Sequence, residues 1–184
     1  MIMDIFVDGS TRTNPGPGGY GVYVPSINRI FAEPDSYQHV NVVIPAFRLF
    51  DGFAYVTNNQ MELRGLEQGM VFFQKFKKAN EMAKYIDGCR IYSDSAYVVN
   101  GFNSWLDNWI DNDWTTATNK KVKNELYWRH ISILKKQYAE AGYFIQVEWI
   151  KGHSGIPGNE EADLLAKRGT EHGELQRSPV ECSQ

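Results

Sequence analysis

Apolar residues in this chain fall into two patterns: short unbroken runs, and stripes at three- and four-residue steps. Residues 2–7 are nearly all apolar, as in a strand covered on both faces, and the run stops at Asp8-Gly9-Ser10. A turn-rich segment, Asn14-Pro15-Gly16-Pro17-Gly18-Gly19, comes next, and residues 20–24 read as a second strand. Residues 40–44 and 53–56 look extended, with polar and proline breaks between, so an elaborated hairpin of open register is expected. Residues 57–79 are helical: Leu63, Leu66, Met70, Phe73 and Phe76 form one stripe, and Thr57 with Gln60 fits a capping box.

Further along, residues 89–93 are a short β-rich run ending at Asp94. Residues 95–102 predict a short helix closed by Gly101, and 121–141 a longer one ending at Gly142. Residues 144–150 alternate as a strand, with Ile145, Val147 and Trp149 on one side. After the loop Gly152-His153-Ser154-Gly155, Pro157 suits the first turn of a helix running to about Arg168. The order of strands and helices predicts an α/β domain with a mixed sheet over residues 1–170, and a polar, frayed tail over 171–184.

Bulk properties narrow the function. The 184 residues are 42% hydrophobic and 22% charged, and fit one globular domain. A net charge of −3 argues against a protein that coats nucleic acid, although a cluster of carboxylates subtracts charge locally. Cys89 and Cys182 are far apart, offer no metal-ligand spacing, and read as free thiols in a reducing compartment. With no stretch as long as a membrane span and no signal peptide, the default location is cytoplasmic, with no membrane partner.

Four acids carry the chemistry. Asp8 and Asp94 each lie where a predicted strand ends, and ligands of α/β sheets collect at such ends. Glu62 lies near the start of the helix at 57–79, and Asp163 one turn after Asn159 in the last helix. Four carboxylates meeting at one point repel unless a cation joins them. Oxygen-only ligands favour Mg²⁺ or Mn²⁺ over zinc, and two such ions can promote phosphodiester hydrolysis. Singly, each acid has an ordinary reading: a strand-end turn for Asp8, helix caps for Glu62 and Asp94, a solvated helix position for Asp163.

The joint context resembles type 1 ribonuclease H. The resemblance rests on five blocks in order: Asp8-Gly9-Ser10 with residues 14–21; Thr57-Asn58-Asn59-Gln60-Met61-Glu62-Leu63; Tyr92-Ser93-Asp94-Ser95 with Tyr97-Val98; Trp149-Ile150-Lys151-Gly152-His153-Ser154-Gly155; and Gly158-Asn159-Glu160 with Ala162-Asp163. It implies a ribonuclease H-like fold, a five-stranded mixed sheet of order 3-2-1-4-5 flanked by helices. It implies endonucleolytic cleavage of the RNA strand of RNA–DNA hybrids, leaving 5′-phosphate and 3′-hydroxyl ends. Asp8, Glu62, Asp94 and Asp163 would hold two Mg²⁺ ions, with Mn²⁺ able to substitute, and His153 on a mobile loop would assist proton transfer or product release. Gly9, Asn14, Asn58, Asn59 and Asn159 match substrate-contacting positions, Thr57 and Asn124 a DNA-phosphate pocket, and Trp105 and Lys123 further contacts. A monomer is expected.

The resemblance has departures. The stretch from Trp105 to Trp114 carries Asp107, Asp111 and Asp113 and no Lys or Arg, where the family often has a basic protrusion. Hybrid affinity is therefore expected to depend only shallowly on salt; a steep log–log slope in binding titrations would contradict this. Tyr55 and Ala96 stand where many members have Arg and Gln, and residues 26–53 exceed the usual hairpin. With no hybrid-binding module ahead of Met1, processive cutting is not expected. The competing readings are a transposase, integrase or junction resolvase of the same fold, or a catalytically silent hybrid-binding module.

Overall fold

The computed structural model describes residues 1–32 and 38–176. Its centre is β1 (Ile2–Thr11), whose Met3, Ile5 and Val7 are fully buried. β1 pairs antiparallel with β2 (Gly16–Val24), and β2 antiparallel with β5 (Phe47–Val56). On its other side β1 runs parallel to β6 (Gly88–Ser93), and β6 parallel to β7 (Phe144–Trp149). The sheet order β5-β2-β1-β6-β7 is the expected 3-2-1-4-5 when only this sheet's strands are numbered.

The long stretch between β2 and β5 holds a separate two-stranded sheet, β3 (Ile27–Ala32) with β4 (His39–Ile44). Its inner face joins the core through Val42 and Ile44, and Phe31 stacks on Tyr85 with centroids 5.2 Å apart. The elaborated hairpin is thus an inserted ribbon beside the main sheet.

Helices cover both faces. α1 (Asn58–Ala79) opens on the predicted capping box: the Gln60 amide N–H donates to Thr57 Oγ1, and the Thr57 N–H to Gln60 Oε1. It packs on the face that presents Ile5, Val7 and Ile91, where Gly65 and Gly69 allow close approach. α4 (Glu125–Glu140) backs α1; its Tyr138 hydroxyl donates to the Met70 carbonyl at 2.8 Å. Nearby Cys89 is buried, which pushes its thiol up to about 12 and leaves it unreactive; Cys182 lies outside the described residues.

α5 (Pro157–Leu175) covers the opposite face, where Gly158 abuts the Phe6 ring. There backbone meets backbone. A Cβ built on Gly52 would lie 1.7 Å from the Gly169 carbonyl oxygen, and one on Gly19 would lie 2.2 Å from the Gly169 carbonyl carbon. This corrects two sequence expectations. Gly16 to Gly19 lie inside β2: Gly19 abuts the backbone of α5 at Gly169, while Gly16 and Gly18 fit closely against Thr13 and against Thr11 and Val56. The last helix continues past Arg168 to Leu175, with Gly173 buried against Phe53, so 171–175 belong to the fold; residues 177–184 lie outside the described residues.

Gly101 is also corrected. Its backbone is right-handed helical, and α2 (Ala96–Asn100) continues through a π-type turn at Gly101–Trp105 into α3 (Leu106–Asp111). A Cβ there would sit 2.2 Å from the Trp128 ring, so the glycine serves packing and does not stop the helix. α4 begins at Glu125, four residues later than predicted, after Asn124 in the left-handed region with φ 56°.

Candidate active site

Strand alternation turns Asp8 to the same face as Phe6, toward α5, while Val7 and Gly9 face α1. β1 runs on to Thr11, so Asp8 is inside a strand, paired with Gly21 of β2, just past the end of the β6 pairing at Phe6, and not at the strand-end turn expected. Gly9 lets α1 come close: a Cβ there would lie 2.4 Å from the Glu62 backbone nitrogen. That approach carries Glu62, the fifth residue of α1, to Asp8. Asp94 follows β6 directly, and Ser95, not Asp94, caps α2. The Trp149 indole N–H donates to the Asp94 carbonyl at 3.0 Å, and a Cβ on Gly152 would stand 2.5 Å from Asp94 Oδ2.

Carboxylate oxygens of Asp8, Glu62 and Asp94 all lie within 4.8 Å of one another. Asp8 and Glu62 are buried. Burial and the neighbouring Asp94 charge raise the Asp8 carboxyl from 3.8 to about 8, and burial with Asp8 raises Glu62 well above its ordinary value. Glu62 Oε1 accepts from Asn58 Nδ2 at 3.3 Å, whereas buried Oε2 has no partner among the described residues. A buried acceptor without a donor is costly, and a hard cation satisfies it. The residues therefore fit divalent metal.

Asp163 is in a second group. Its carboxylate lies within 4.8 Å of His153 and Glu160, and its Oδ2 accepts from Lys167 Nζ at 2.5 Å. The charge of Asp163 is felt at Asp8, but its carboxylate groups with His153 and Glu160 and not with the triad. His153 is exposed, with φ 50°, in a loop tied to α5 where the Gly155 N–H donates to Glu160 Oε1 at 3.3 Å. Lys167 was not singled out from sequence, and Glu160, Trp149 and Gly152 were named only within motif blocks or a strand pattern with no role in the site assigned, although Glu160 and Lys167 flank Asp163 at the i−3 and i+4 spacings that share a helix face.

The raised carboxyls give a stability prediction for chelator-treated protein. The fold binds the Asp8 proton more tightly than the unfolded chain does. Its contribution is complete below about pH 4 and disappears as pH rises through about 8. Asp8→Asn removes that loss. At pH 9 without metal the variant should be more stable than wild type by on the order of 3 kcal/mol, or roughly 6–12 °C in Tm. Melting curves from pH 4 to 9 check this; parallel curves for the two proteins would refute it.

A cleft of about 420 Å³ beside the triad is lined by Asn14, Pro15, Thr57, Asn59, Lys123 and Asn124. It unites five of the predicted contacts, including both phosphate-pocket residues. The Asn58 backbone N–H donates to Asn14 Oδ1 at 3.0 Å, so Asn58 braces the cleft and Glu62 together. Trp105 is 38% exposed and stacks at a tilt on Trp109, 5.7 Å away. Among the acids near it, Asp107 pairs with Lys135 at 2.8 Å. Asn159 is a correction: it is 1% exposed, with Oδ1 unpartnered among the described residues, so it lies beneath the surface that a nucleic acid would touch. Helical spacing put it in line with Asp163 but could not show how deeply Gly158 and Asn159 sink against β1.

Comparison with known proteins accords with this geometry. The RNase H family model matches residues 2–171. A ribonuclease H of Albidiferax ferrireducens is 33% identical over 175 residues, covering 95% of this chain and 98% of that protein. One from Acidovorax sp. is 35% identical over 167 residues, covering 91% and 93%. Among solved structures, LC9-RNase H1, a type 1 RNase H with the type 2 active-site motif, has a TM-score of 0.64 at 22% identity, covering 92% of this chain and 72% of that one. LC11-RNase H1 in complex with RNA/DNA hybrid has a TM-score of 0.57 at 18% identity, covering 92% and 96%. The two solved structures carry the fold alone; the sequence relatives and the family match carry the assignment, and by them this chain belongs to the ribonuclease H family.

Proposed function

We propose that the chain is an endonuclease that hydrolyses the RNA strand of RNA–DNA hybrids, leaving 5′-phosphate and 3′-hydroxyl ends, with Asp8, Glu62, Asp94 and Asp163 as ligands for two Mg²⁺ ions. The observation that carries this is the triad of Asp8, Glu62 and Asp94, the first two buried, with a Glu62 oxygen that has no partner among the described residues, in a chain of this family. Ions held there would supply Lewis acidity at the scissile phosphate. The protein's part is geometric. β1 fixes Asp8, the Gly9 contact fixes Glu62, and the Trp149 N–H with the Gly152 backbone fixes Asp94. The relatives named ribonuclease H and the solved complex of LC11-RNase H1 with RNA/DNA hybrid support the substrate class.

Asn14, Thr57, Asn59, Lys123 and Asn124 form the cleft that would take a backbone phosphate, and amide side chains there both donate and accept, as a 2′-hydroxyl partner requires. Trp105 offers a flat apolar contact at the edge. His153 would carry a proton out of the site, a reading supported by its ring nitrogen lying within 4.8 Å of the Asp163 carboxylate. His153→Ala is expected to lower kcat about 10²-fold with KM little changed, read from initial rates on a labelled hybrid. A variant as fast as wild type would remove His153 from the chemistry. Mn²⁺ is expected to replace Mg²⁺. The chain is taken to act as a monomer in the cytoplasm. Separately, no described helix is long and apolar enough to cross a membrane.

The test is to incubate the protein with RNA–DNA hybrid, double-stranded RNA and double-stranded DNA, with Mg²⁺ and with chelator. Loss of only the hybrid's RNA strand, blocked by chelator, is expected. Cutting of a duplex without ribonucleotides would favour a transposase- or resolvase-like enzyme instead.

A further inference from the structure

Among the described residues, Asp163 is the one acid of the four whose carboxylate pairs with a cation. Lys167, one turn further along α5, places its Nζ 2.5 Å from Asp163 Oδ2. The Asp163 side chain is 16% exposed and that of Lys167 is 57%. The acid is thus largely enclosed, while its lysine reaches in from water. Lys167 also borders an open hollow of about 390 Å³ with Ser10, Thr11, Arg12, Thr170 and Glu171, so its ammonium has somewhere to go. Arg12 is turned away onto Glu174 at 2.7 Å and does not compete for Asp163.

We propose that Lys167 is a built-in counter-cation of the acid pocket, displaced from Asp163 when a divalent ion takes that carboxylate as a ligand. This rests on the metal-binding reading above and adds to it a brake on loading. An ion pair with one partner more than half in water is held weakly, because solvent competes for the ammonium. A dication would offer Asp163 twice the charge of one ammonium. Lys167 therefore neutralises the pocket between turnovers without sealing it.

The test uses Mn²⁺ alone, with no substrate, and reads free Mn²⁺ by electron paramagnetic resonance. Lys167→Met should bind Mn²⁺ about three- to tenfold tighter than wild type, and Lys167→Gln likewise, whereas Lys167→Arg should stay near wild type. Melting gives a second readout: Lys167→Met should melt below wild type with chelator, and the gap should close with saturating Mn²⁺. Equal Mn²⁺ affinity in wild type, Lys167→Met and Lys167→Gln would overturn the proposal while leaving the metal site intact. Mn²⁺ uptake that Asp8→Asn does not weaken would instead overturn the metal site and the proposal with it.

Discussion

Asp94→Asn is expected to lower the cleavage rate by about 10³-fold or more while leaving the fold unchanged. The exchange is nearly isosteric. It keeps the Asp94 carbonyl that accepts from Trp149 and keeps the fit against Gly152. It removes one negative charge from a triad whose oxygens lie within 4.8 Å, and it replaces an acceptor-only ligand atom with an amide. Hybrid binding with chelator should be unchanged or slightly tighter, because a phosphate then meets less negative charge. Single-turnover cleavage and a binding titration on the same hybrid separate the two effects. A variant that cuts like wild type would show that the triad is structural, and would return the catalytically silent binding module to first place.

Gly52→Ala is expected to have the largest effect on stability, a loss of roughly 3 kcal/mol or more, which for a domain of this size is at least about 6–12 °C in Tm. The added methyl would sit 1.7 Å from the Gly169 carbonyl oxygen and 2.6 Å from the Gly173 nitrogen. Both are backbone atoms of α5 and cannot turn aside as a side chain would. The helix must lift, and Asp163 lifts with it, so activity should fall together with stability. Gly142→Ala is the control: nothing lies within 4 Å of its Cβ, and with φ +68° it bears only a left-handed backbone cost of roughly 1–2 kcal/mol. Thermal unfolding of the two variants beside wild type decides it. If Gly52→Ala melts no lower than Gly142→Ala, backbone contact between α5 and the sheet is not what seats the helix.

These two expectations draw on different levels of information. The triad acids and their loops were legible as motifs, because catalytic groups are bound to short local signals: a strand running into Asp8, a capping box ahead of Glu62, a strand then Asp94. α1 was legible to the residue because its cap and its apolar stripe are both local. The glycines were misread. Gly16 to Gly19 carry the composition of a turn, and Gly101 sits where a helix stop belongs. The reasons for Gly19 and Gly101 lie in α5 and in Trp128, distant in sequence, and a missing side chain leaves no periodicity to detect.

By itself, then, the sequence determined the α/β order of elements, which follows from periods of two and 3.6 residues, while the four acids and their oxygen-only chemistry were pointed to by the joint resemblance of five motif blocks. Only the tertiary structure decided that three of the acids converge, two of them buried, while Asp163 stands apart on Lys167, that Asn159 is enclosed, and that Ile27–Ala32 and His39–Ile44 pair as a separate ribbon. Those outcomes depend on how closely backbones approach across the sheet, and that distance is set by contacts between segments that have no shared pattern along the chain.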